Sequence, residues 1–137
     1  MHRVFAYGTL KRGFTNHRII QSSTFVGEAY TAAQYRMLDG RFPVLRDAGP
    51  DCMQISGELF DIDAPTLAQL DELEGLSLGM YDRIEIDIVL LPAPNVTSRT
   101  CRAFVYIGCG KYWDDRAHRS CVNLDRHGHI EWMPQSK

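Results

Sequence analysis

The amino-acid sequence predicts an α+β domain with a mixed or mainly antiparallel sheet. Short apolar stretches recur along the chain with glycine or proline between them, a pattern typical of successive β-strands. One segment, beginning at Asp63, instead has the capping residue and the apolar spacing of an α-helix. Many strands accompanied by one or two helices indicate the α+β class.

The first half of the chain contains five predicted strands, at residues 3–7, 24–30, 35–38, 43–45 and 55–60. Asp39-Gly40 is a strong hairpin signal, so residues 43–45 are expected to pair back onto residues 35–38. Asn16 is expected to cap a short helix that runs through Ser22.

The clearest predicted helix begins after Asp63 and ends before Gly75. Asp63 is a good N-cap, and Pro65 falls in the first turn, where its missing N–H group costs nothing. Gly75 is the expected terminator, because glycine readily adopts the left-handed conformation that ends many helices.

Two further strands are predicted after the helix, at residues 81–91 and 101–107, with residues 92–100 as a loop. In the first of them Ile84, Ile86 and Ile88 alternate with charged residues, so one face is expected to be apolar and the other polar. The strand pattern stops after Gly108. We expect irregular structure beyond it, packed on the core by the aromatic residues Tyr112, Trp113 and Trp132.

Length and charge indicate one domain of ordinary composition. The predicted domain covers residues 1–137, with a core over about 1–107 and a tail over 108–137. A net charge of −2 gives no reason to expect a nucleic-acid partner. The chain has no apolar run long enough for a bilayer and no signal-peptide core, so a cytoplasmic location without membrane contact is expected. The oligomeric state stays open.

The cysteines are expected to be free thiols, because a reducing compartment keeps them unpaired. A metal site is suggested only by the types of five residues, Cys109, His118, Cys121, His127 and His129. Their spacing fits no zinc pattern. The sequence therefore predicts no metal.

A candidate binding site follows the first strand, in the segment Tyr7-Gly8-Thr9-Leu10. A buried strand that stops at glycine leaves the next amide groups without strand partners, and such groups can hold an anionic or carbonyl oxygen. Gly8 has no Cβ, so a ligand can approach the backbone closely there. An ordinary edge turn would explain the same residues.

Glu74 is a carboxylate on the apolar side of the predicted helix. It lies on the stripe of Leu67 and Leu70, whereas Asp71 and Glu72 lie off it. That stripe normally faces the core, where an unpaired charge is costly, and the C-terminal end of a helix dipole also disfavours a negative charge. Both effects raise the pKa of the Glu74 carboxyl, which suits a general acid/base. Two alternatives stay open: an early end of the helix with Glu74 in water, and an ion pair with Arg83.

A series of short motifs occurs in order between residue 3 and about residue 107. They are Tyr7-Gly8-Thr9-Leu10-Lys11-Arg12-Gly13 with Asn16-His17, Phe42-Pro43-Val44, Gly57-Glu58-Leu59-Phe60, Leu70-Asp71-Glu72-Leu73-Glu74-Gly75, Tyr81-Asp82-Arg83 and Ala103-Phe104-Val105-Tyr106. This series resembles the gamma-glutamyl cyclotransferase superfamily, and most of all its gamma-glutamylamine cyclotransferase branch. The resemblance implies a small, mainly antiparallel, partly closed β-barrel with one or two packed helices and a pocket near one end.

The resemblance also implies a reaction without a cofactor. The α-amine of a small gamma-glutamyl substrate attacks its own γ-carbonyl carbon, which releases 5-oxoproline and a free amine. Glu74 aligns with the catalytic glutamate of the family and is the expected general acid/base. The expected substrate-binding residues are Tyr7, Gly8, Thr9, Leu10, Pro43, Tyr81 and Arg83. Pro43 would also fit a hairpin breaker, and Tyr81 and Arg83 would also fit a barrel wall.

The segment 75–80 departs from the family pattern, because it lacks the Cys-Pro pair that often follows the catalytic glutamate. This departure leaves the choice of substrate open, and glutathione or other gamma-glutamyl peptides are the close alternative. A non-catalytic small-molecule binding module is a second possibility. A third is an interaction protein that uses the tail and a basic rim at Lys11, Arg12, His17 and Arg18.

Overall fold

The computed structural model describes residues 1–39, 43–94, 99–109, 113 and 119–133. It contains one helix, α1 (Ala64–Leu73), two short 3₁₀ turns (His17–Ile19 and Leu76–Leu78) and seven strands. The strands are β1 (His2–Ala6), β2 (Thr24–Thr31), β3 (Arg36–Leu38), β4 (Val44–Arg46), β5 (Ser56–Ile62), β6 (Tyr81–Leu90) and β7 (Arg99–Gly108).

Five of the strands close a barrel in the order β1-β5-β2-β6-β7. The neighbours pair antiparallel, except that β1 meets β7 in parallel through Val4 and Phe104. The strands β3 and β4 form a separate antiparallel pair, with Met37 opposite Leu45. The predicted α+β class and the small, mainly antiparallel barrel are confirmed.

The first strand is apolar on both sides because it lies between two cores. Phe5 belongs to the barrel interior, together with Leu59 and Val105. Val4 faces the other way, into a second cluster between the barrel and α1 that also holds Leu70. A strand buried on both faces cannot show the polar alternation of a surface strand, which accounts for the continuous apolar stretch that precedes Gly8.

The predicted limits of α1 are confirmed. The Asp63 carboxylate accepts a hydrogen bond from the Thr66 amide at 2.8 Å, and Pro65 lies in the first turn. At the other end, Glu74 is the C-cap and Gly75 has a φ of 66°, in the left-handed region. Helix and barrel are thus joined so that the last turn of α1 points its side chains toward the beginning of β6.

Two local predictions are wrong. Asn16 makes no side-chain cap; it precedes only a 3₁₀ turn, and its Nδ2 donates to Thr9 Oγ1 at 2.9 Å. The regular alternation predicted for β6 fails at Ile84, which is 37% exposed, whereas Ile86 and Ile88 are buried. The first half of β6 packs against α1 through its other face, so Tyr81 is buried instead.

After β7 the described residues 109, 113 and 119–133 form no helix or strand, in line with the prediction, and they contribute to the core. Trp132 is buried in the barrel cluster, and Trp113 packs against the second cluster. The predicted turn residue Gly40, the motif residue Phe42, Tyr112 and His118 lie outside the described residues. Within the ranges given above, the helix is too short and too polar to cross a membrane.

Candidate active site

A cavity of about 300 Å³ lies where the end of β1, the C-terminal end of α1 and the strands β6 and β7 meet. Seven of its lining residues are ones that the sequence singles out: Tyr7, Gly8, Thr9, Leu10, Pro43, Glu74 and Tyr81. The others are Phe5, Ala6, Asn16, Leu73, Met80, Tyr106 and Trp113. Residues far apart in the sequence are therefore brought to one small, largely apolar space.

Glu74 is the only carboxylate among these lining residues. Its amide donates to the Leu70 carbonyl oxygen at 2.9 Å, so the helix does not end early. Its side chain is partly buried, and burial raises the pKa of the carboxyl from 4.5 to about 7. In the described part of the chain the carboxylate has no hydrogen-bond or ion-pair partner, and Arg83 is paired with Asp71. Glu74 is thus available to a molecule in the cavity.

The turn after β1 presents backbone donors to the same cavity. Its shape is fixed by two backbone hydrogen bonds, from Lys11 to the Gly8 oxygen at 3.1 Å and from Asn16 to the Thr9 oxygen at 2.9 Å. Across the residues that the structure describes, the amides of Gly8, Thr9 and Leu10 have no protein acceptor. Three amides without acceptors at one turn can hold an oxygen atom that carries negative charge.

Gly8 is also required by packing. A Cβ added at this position would overlap Cγ of Pro43. Pro43 is buried and lines the cavity, and its carbonyl oxygen accepts a hydrogen bond from the Tyr81 hydroxyl at 3.2 Å. The three residues therefore form one packed side of the cavity.

Tyr7 forms part of the cavity wall and is tied down at its hydroxyl, which donates to the Tyr106 carbonyl oxygen at 2.6 Å. Burial raises the pKa of this phenol well above its usual value, and the nearby Tyr81 and Glu74 add to the effect. The ring is held neutral and fixed, so Tyr7 shapes the cavity near Glu74.

Arg83 is not among the cavity-lining residues that the structure describes. Its guanidinium pairs with the Asp71 carboxylate and lies 4.8 Å from the centre of the Phe104 ring. The prediction that Arg83 contacts substrate is not supported by this placement, because the side chain points to the outer side of β6, under α1. Bracing of the helix explains its position.

Sequence reasoning gave no role to five of the lining residues, Asn16, Leu73, Met80, Tyr106 and Trp113. Tyr106 and Asn16 fall within the motifs that resemble the family, and this position is what could have indicated a place in the site. Trp113 was assigned to the tail, yet its Nε1 donates to the Met80 carbonyl oxygen at 2.8 Å, and its ring meets that of Tyr81 edge-on. No pattern in the sequence links these distant positions.

No group of three or more metal-ligating side chains occurs in the parts of the chain described above. The described residues that line the cavity offer one carboxylate with a raised pKa, three phenols and a turn with backbone donors.

A family model described as gamma-glutamyl cyclotransferase, AIG2-like, matches residues 4–125. The chain belongs to this family. The matched range includes every cavity-lining residue, from Phe5 to Trp113.

Two relatives illustrate the range of gamma-glutamyl cyclotransferase-like sequences that the chain resembles. A Danio rerio protein named gamma-glutamylaminecyclotransferase A is 32% identical over 111 residues, which cover 75% of this chain and 66% of the relative. An Arabidopsis thaliana protein, whose name marks its gamma-glutamylcyclotransferase assignment as provisional, is 40% identical over 88 residues. That match covers 58% of this chain and 47% of the relative, so the chain spans about half of its length.

A solved structure extends the likeness over the whole gamma-glutamyl cyclotransferase-like fold. The crystal structure of an AIG2-like protein from Mus musculus superposes with a TM-score of 0.74 at 24% identity. The superposition covers 100% of this chain and 98% of that one. At this identity the match shows the fold alone. Any argument about function depends on the cavity residues described above.

Proposed function

We propose that this protein is a gamma-glutamylamine-type cyclotransferase in which Glu74 is the general acid/base. The observation that carries the proposal is that Glu74 lines one cavity together with Gly8, Thr9 and Leu10, whose amides have no acceptor among the described residues. An intramolecular acyl transfer needs this pairing: a group that moves protons, and donors for the oxygen on which charge develops.

The proposed reaction starts with proton transfer from the substrate α-ammonium group to the Glu74 carboxylate. The freed amine attacks the γ-carbonyl carbon, a new carbon–nitrogen bond closes a five-membered ring, and the carbonyl electrons move onto oxygen. As that carbonyl re-forms, Glu74 returns its proton to the leaving nitrogen and the carbon–nitrogen bond breaks. The ring nitrogen passes its surplus proton to the departing amine, which leaves as its ammonium ion. The products are 5-oxoproline and a free amine, so no water or cofactor is consumed.

The environment of Glu74 supports both proton transfers. A carboxyl with a pKa of about 7 is partly ionised near neutral pH, so it accepts a proton and gives it back without a large free-energy penalty in either direction. The Glu74 carboxylate has no partner in the described ranges, which leaves both of its oxygens for the substrate. An ordinary glutamate in water would be a weaker base and would take the proton from the substrate ammonium group less readily.

The turn after β1 is proposed to bind substrate oxygen through its amides. Either the α-carboxylate or the oxygen of the tetrahedral intermediate fits such donors, and both carry negative charge. Tyr7, Pro43 and Tyr81 are proposed to fix the position of the glutamyl part by packing, because their polar atoms are already used within the protein.

The leaving amine is proposed to lie against Leu73, Met80 and Trp113, which form the apolar part of the cavity near Glu74. Leu73 is 43% exposed, so this side reaches solvent and can accept a leaving group longer than the cavity. The amine-type assignment is further supported by relatives that bear the name gamma-glutamylaminecyclotransferase. Gamma-glutamyl peptides such as glutathione are the alternative substrates.

The proposal is tested by 5-oxoproline release from a panel of a gamma-glutamyl-ε-lysine isopeptide, a small gamma-glutamyl alkylamine and glutathione. The matched control is the same alkylamine substrate with its α-amine acetylated, since a blocked amine cannot attack. We expect turnover of the free-amine substrate and none of the acetylated one. Cleavage of both would indicate hydrolysis instead, and binding of 5-oxoproline without turnover of any substrate would indicate a non-catalytic binding module.

A further inference from the structure

Asp71 joins the end of α1 to two strands of the barrel. One carboxylate oxygen accepts a hydrogen bond from the Tyr106 hydroxyl of β7 at 2.7 Å, and the other is paired with Arg83 of β6. Asp71 lies three residues before Glu74, so the two side chains are neighbours on the helix surface. A single carboxylate therefore holds the helix turn from which Glu74 projects.

The same contacts reach the cavity wall. Tyr106 is buried and lines the cavity, and its carbonyl oxygen accepts from Tyr7. Asp71 is thus linked through Tyr106 to Tyr7, which also lines the cavity. The apolar contacts of Leu67 and Leu70 hold the helix against the barrel, and the polar contacts of Asp71 add directional links to two strands.

We propose that Asp71, held between Arg83 and Tyr106, is a positioning residue that fixes the Glu74 carboxylate over the cavity. This inference rests on the proposed role of Glu74. Glu74 is the last helical position before the left-handed Gly75, where a helix readily frays. Contacts that fix the preceding turn to both β6 and β7 restrict that fraying, and they keep the carboxylate within reach of the amides of the first turn.

The ion pair also balances the charge around Glu74. Among the described residues that line the cavity, the other titratable groups are the phenols Tyr7, Tyr81 and Tyr106. Asp71 lies one helical turn from Glu74, and it forms an ion pair with Arg83 that carries no net charge. Removing Arg83 leaves a negative charge one turn from Glu74, and removing Asp71 leaves a positive one; the two changes must move the Glu74 titration in opposite directions.

A matched control exists elsewhere in the barrel. Arg3 and Asp61 join β1 to β5 in an ion pair whose side chains are 31% and 29% exposed, against 26% and 27% for Arg83 and Asp71. Neither Arg3 nor Asp61 lines the cavity. Asp61→Asn and Arg3→Met therefore measure what the loss of a similar ion pair does to the protein in general.

The experiment follows the Glu74 carboxyl by ¹³C NMR titration in the wild type, Asp71→Asn, Arg83→Met and the two control variants, with Glu74→Gln to assign the signal. We expect the titration midpoint of the Glu74 carboxyl to rise by about 0.5 pH unit or more in Arg83→Met and to fall in Asp71→Asn. The controls should leave it unchanged. Arg83→Lys, which keeps the charge, should restore most of the wild-type value.

Kinetics give the second readout. Asp71→Asn is expected to lower kcat by tenfold to about a hundredfold with little change in KM, because a misplaced catalytic group affects the chemical step. Asp61→Asn should lower the melting temperature to a similar extent while keeping kcat. An active wild type whose Glu74 titrates identically in Asp71→Asn and Arg83→Met would overturn this inference. If Asp71→Asn does not fold, Arg83→Met and Arg83→Lys decide by the same titration.

Failure of the proposed function has a different signature. A wild type that releases no 5-oxoproline from any gamma-glutamyl substrate removes the enzyme assignment, whereas the titration still shows whether Asp71 and Arg83 control the Glu74 carboxyl.

Discussion

The Tyr7 hydroxyl donates a 2.6 Å hydrogen bond to the carbonyl oxygen of Tyr106, and this contact joins the end of β1 to β7 beside the cavity. Both residues are buried, and both line the space into which Glu74 projects. The bond therefore holds together two of the segments that carry the candidate site.

Tyr7→Phe removes this bond and is expected to lower the free energy of unfolding by about 1–3 kcal/mol, because it takes the Tyr7 donor away from the buried Tyr106 carbonyl oxygen. Urea denaturation measures the change. Tyr30→Phe is the control, since its hydroxyl has no hydrogen-bond partner among the described residues, and its cost should stay below about 0.5 kcal/mol. An equal loss of unfolding free energy in the two variants would mean that the bond from Tyr7 to Tyr106 does not stabilise the protein.

Glu74→Gln is expected to lower 5-oxoproline release by roughly 10²-fold to 10⁴-fold, because the amide can neither accept nor return the proton. Thermal melts should show that the variant stays folded. Glu72→Gln is the control: it makes the same change in the same helix, but at an exposed position outside the cavity lining. A folded Glu74→Gln protein with wild-type turnover would exclude the proposed role.

The pH dependence of kcat/KM should reflect the ionisation of Glu74. The base form is the carboxylate, so the rate is expected to fall tenfold per pH unit below the pKa of about 7 and to level off above it. Initial rates measured across this range give the profile. A profile that stays flat down to about pH 5 would mean that an ordinary carboxyl, or another group, is the base.

Stability should change in the opposite sense to activity. The folded-state pKa of Glu74 lies above the unfolded value of 4.5, so its contribution to stability is fully present below about 4.5 and is lost as the pH rises through about 7. Glu74→Gln cannot ionise and is expected to be more stable than the wild type at pH 8, by about 1–3 kcal/mol. Melts at pH 4 should show little difference. A less stable variant at pH 8 would contradict the buried, unpartnered state of the carboxylate.

Gly8→Ala is expected to destabilise the protein by about 1–3 kcal/mol and to raise KM, since the added Cβ overlaps Pro43 and displaces the turn that presents the amides. Denaturation and steady-state kinetics measure the two effects. Gly128→Ala is a useful comparison, because Gly128 has a φ of 81° and open space around it. That variant should lose stability through backbone strain while keeping its KM; a normal KM in Gly8→Ala would argue against binding by this turn.

Local signals in the sequence predicted the elements that depend on local chemistry. The Asp63 cap and the left-handed Gly75 define α1, and the spacing from Leu70 to Glu74 was enough to direct one carboxylate toward the core. These features are decided within a single turn of helix, so they can be inferred without the fold.

Contacts between distant segments were not predictable in this way. The ion pair between Arg83 and Asp71 forms because of the way α1 crosses β6. The burial of Tyr81 depends on the same crossing. Asn16 was expected to cap a helix, but Thr9 competes for its side chain once the turn has formed. Tertiary packing decides such cases, and residue types alone do not.

The barrel is unevenly closed. β6 is registered with β7 along its whole length, from Tyr81 opposite Gly108 to Leu90 opposite Arg99, whereas the register of β1 with β7 consists of Val4 and Phe104. The candidate site lies beside this short seam. Few backbone hydrogen bonds cross this seam, so side-chain contacts such as the bond from the Tyr7 hydroxyl to the Tyr106 carbonyl oxygen hold the barrel closed beside the site.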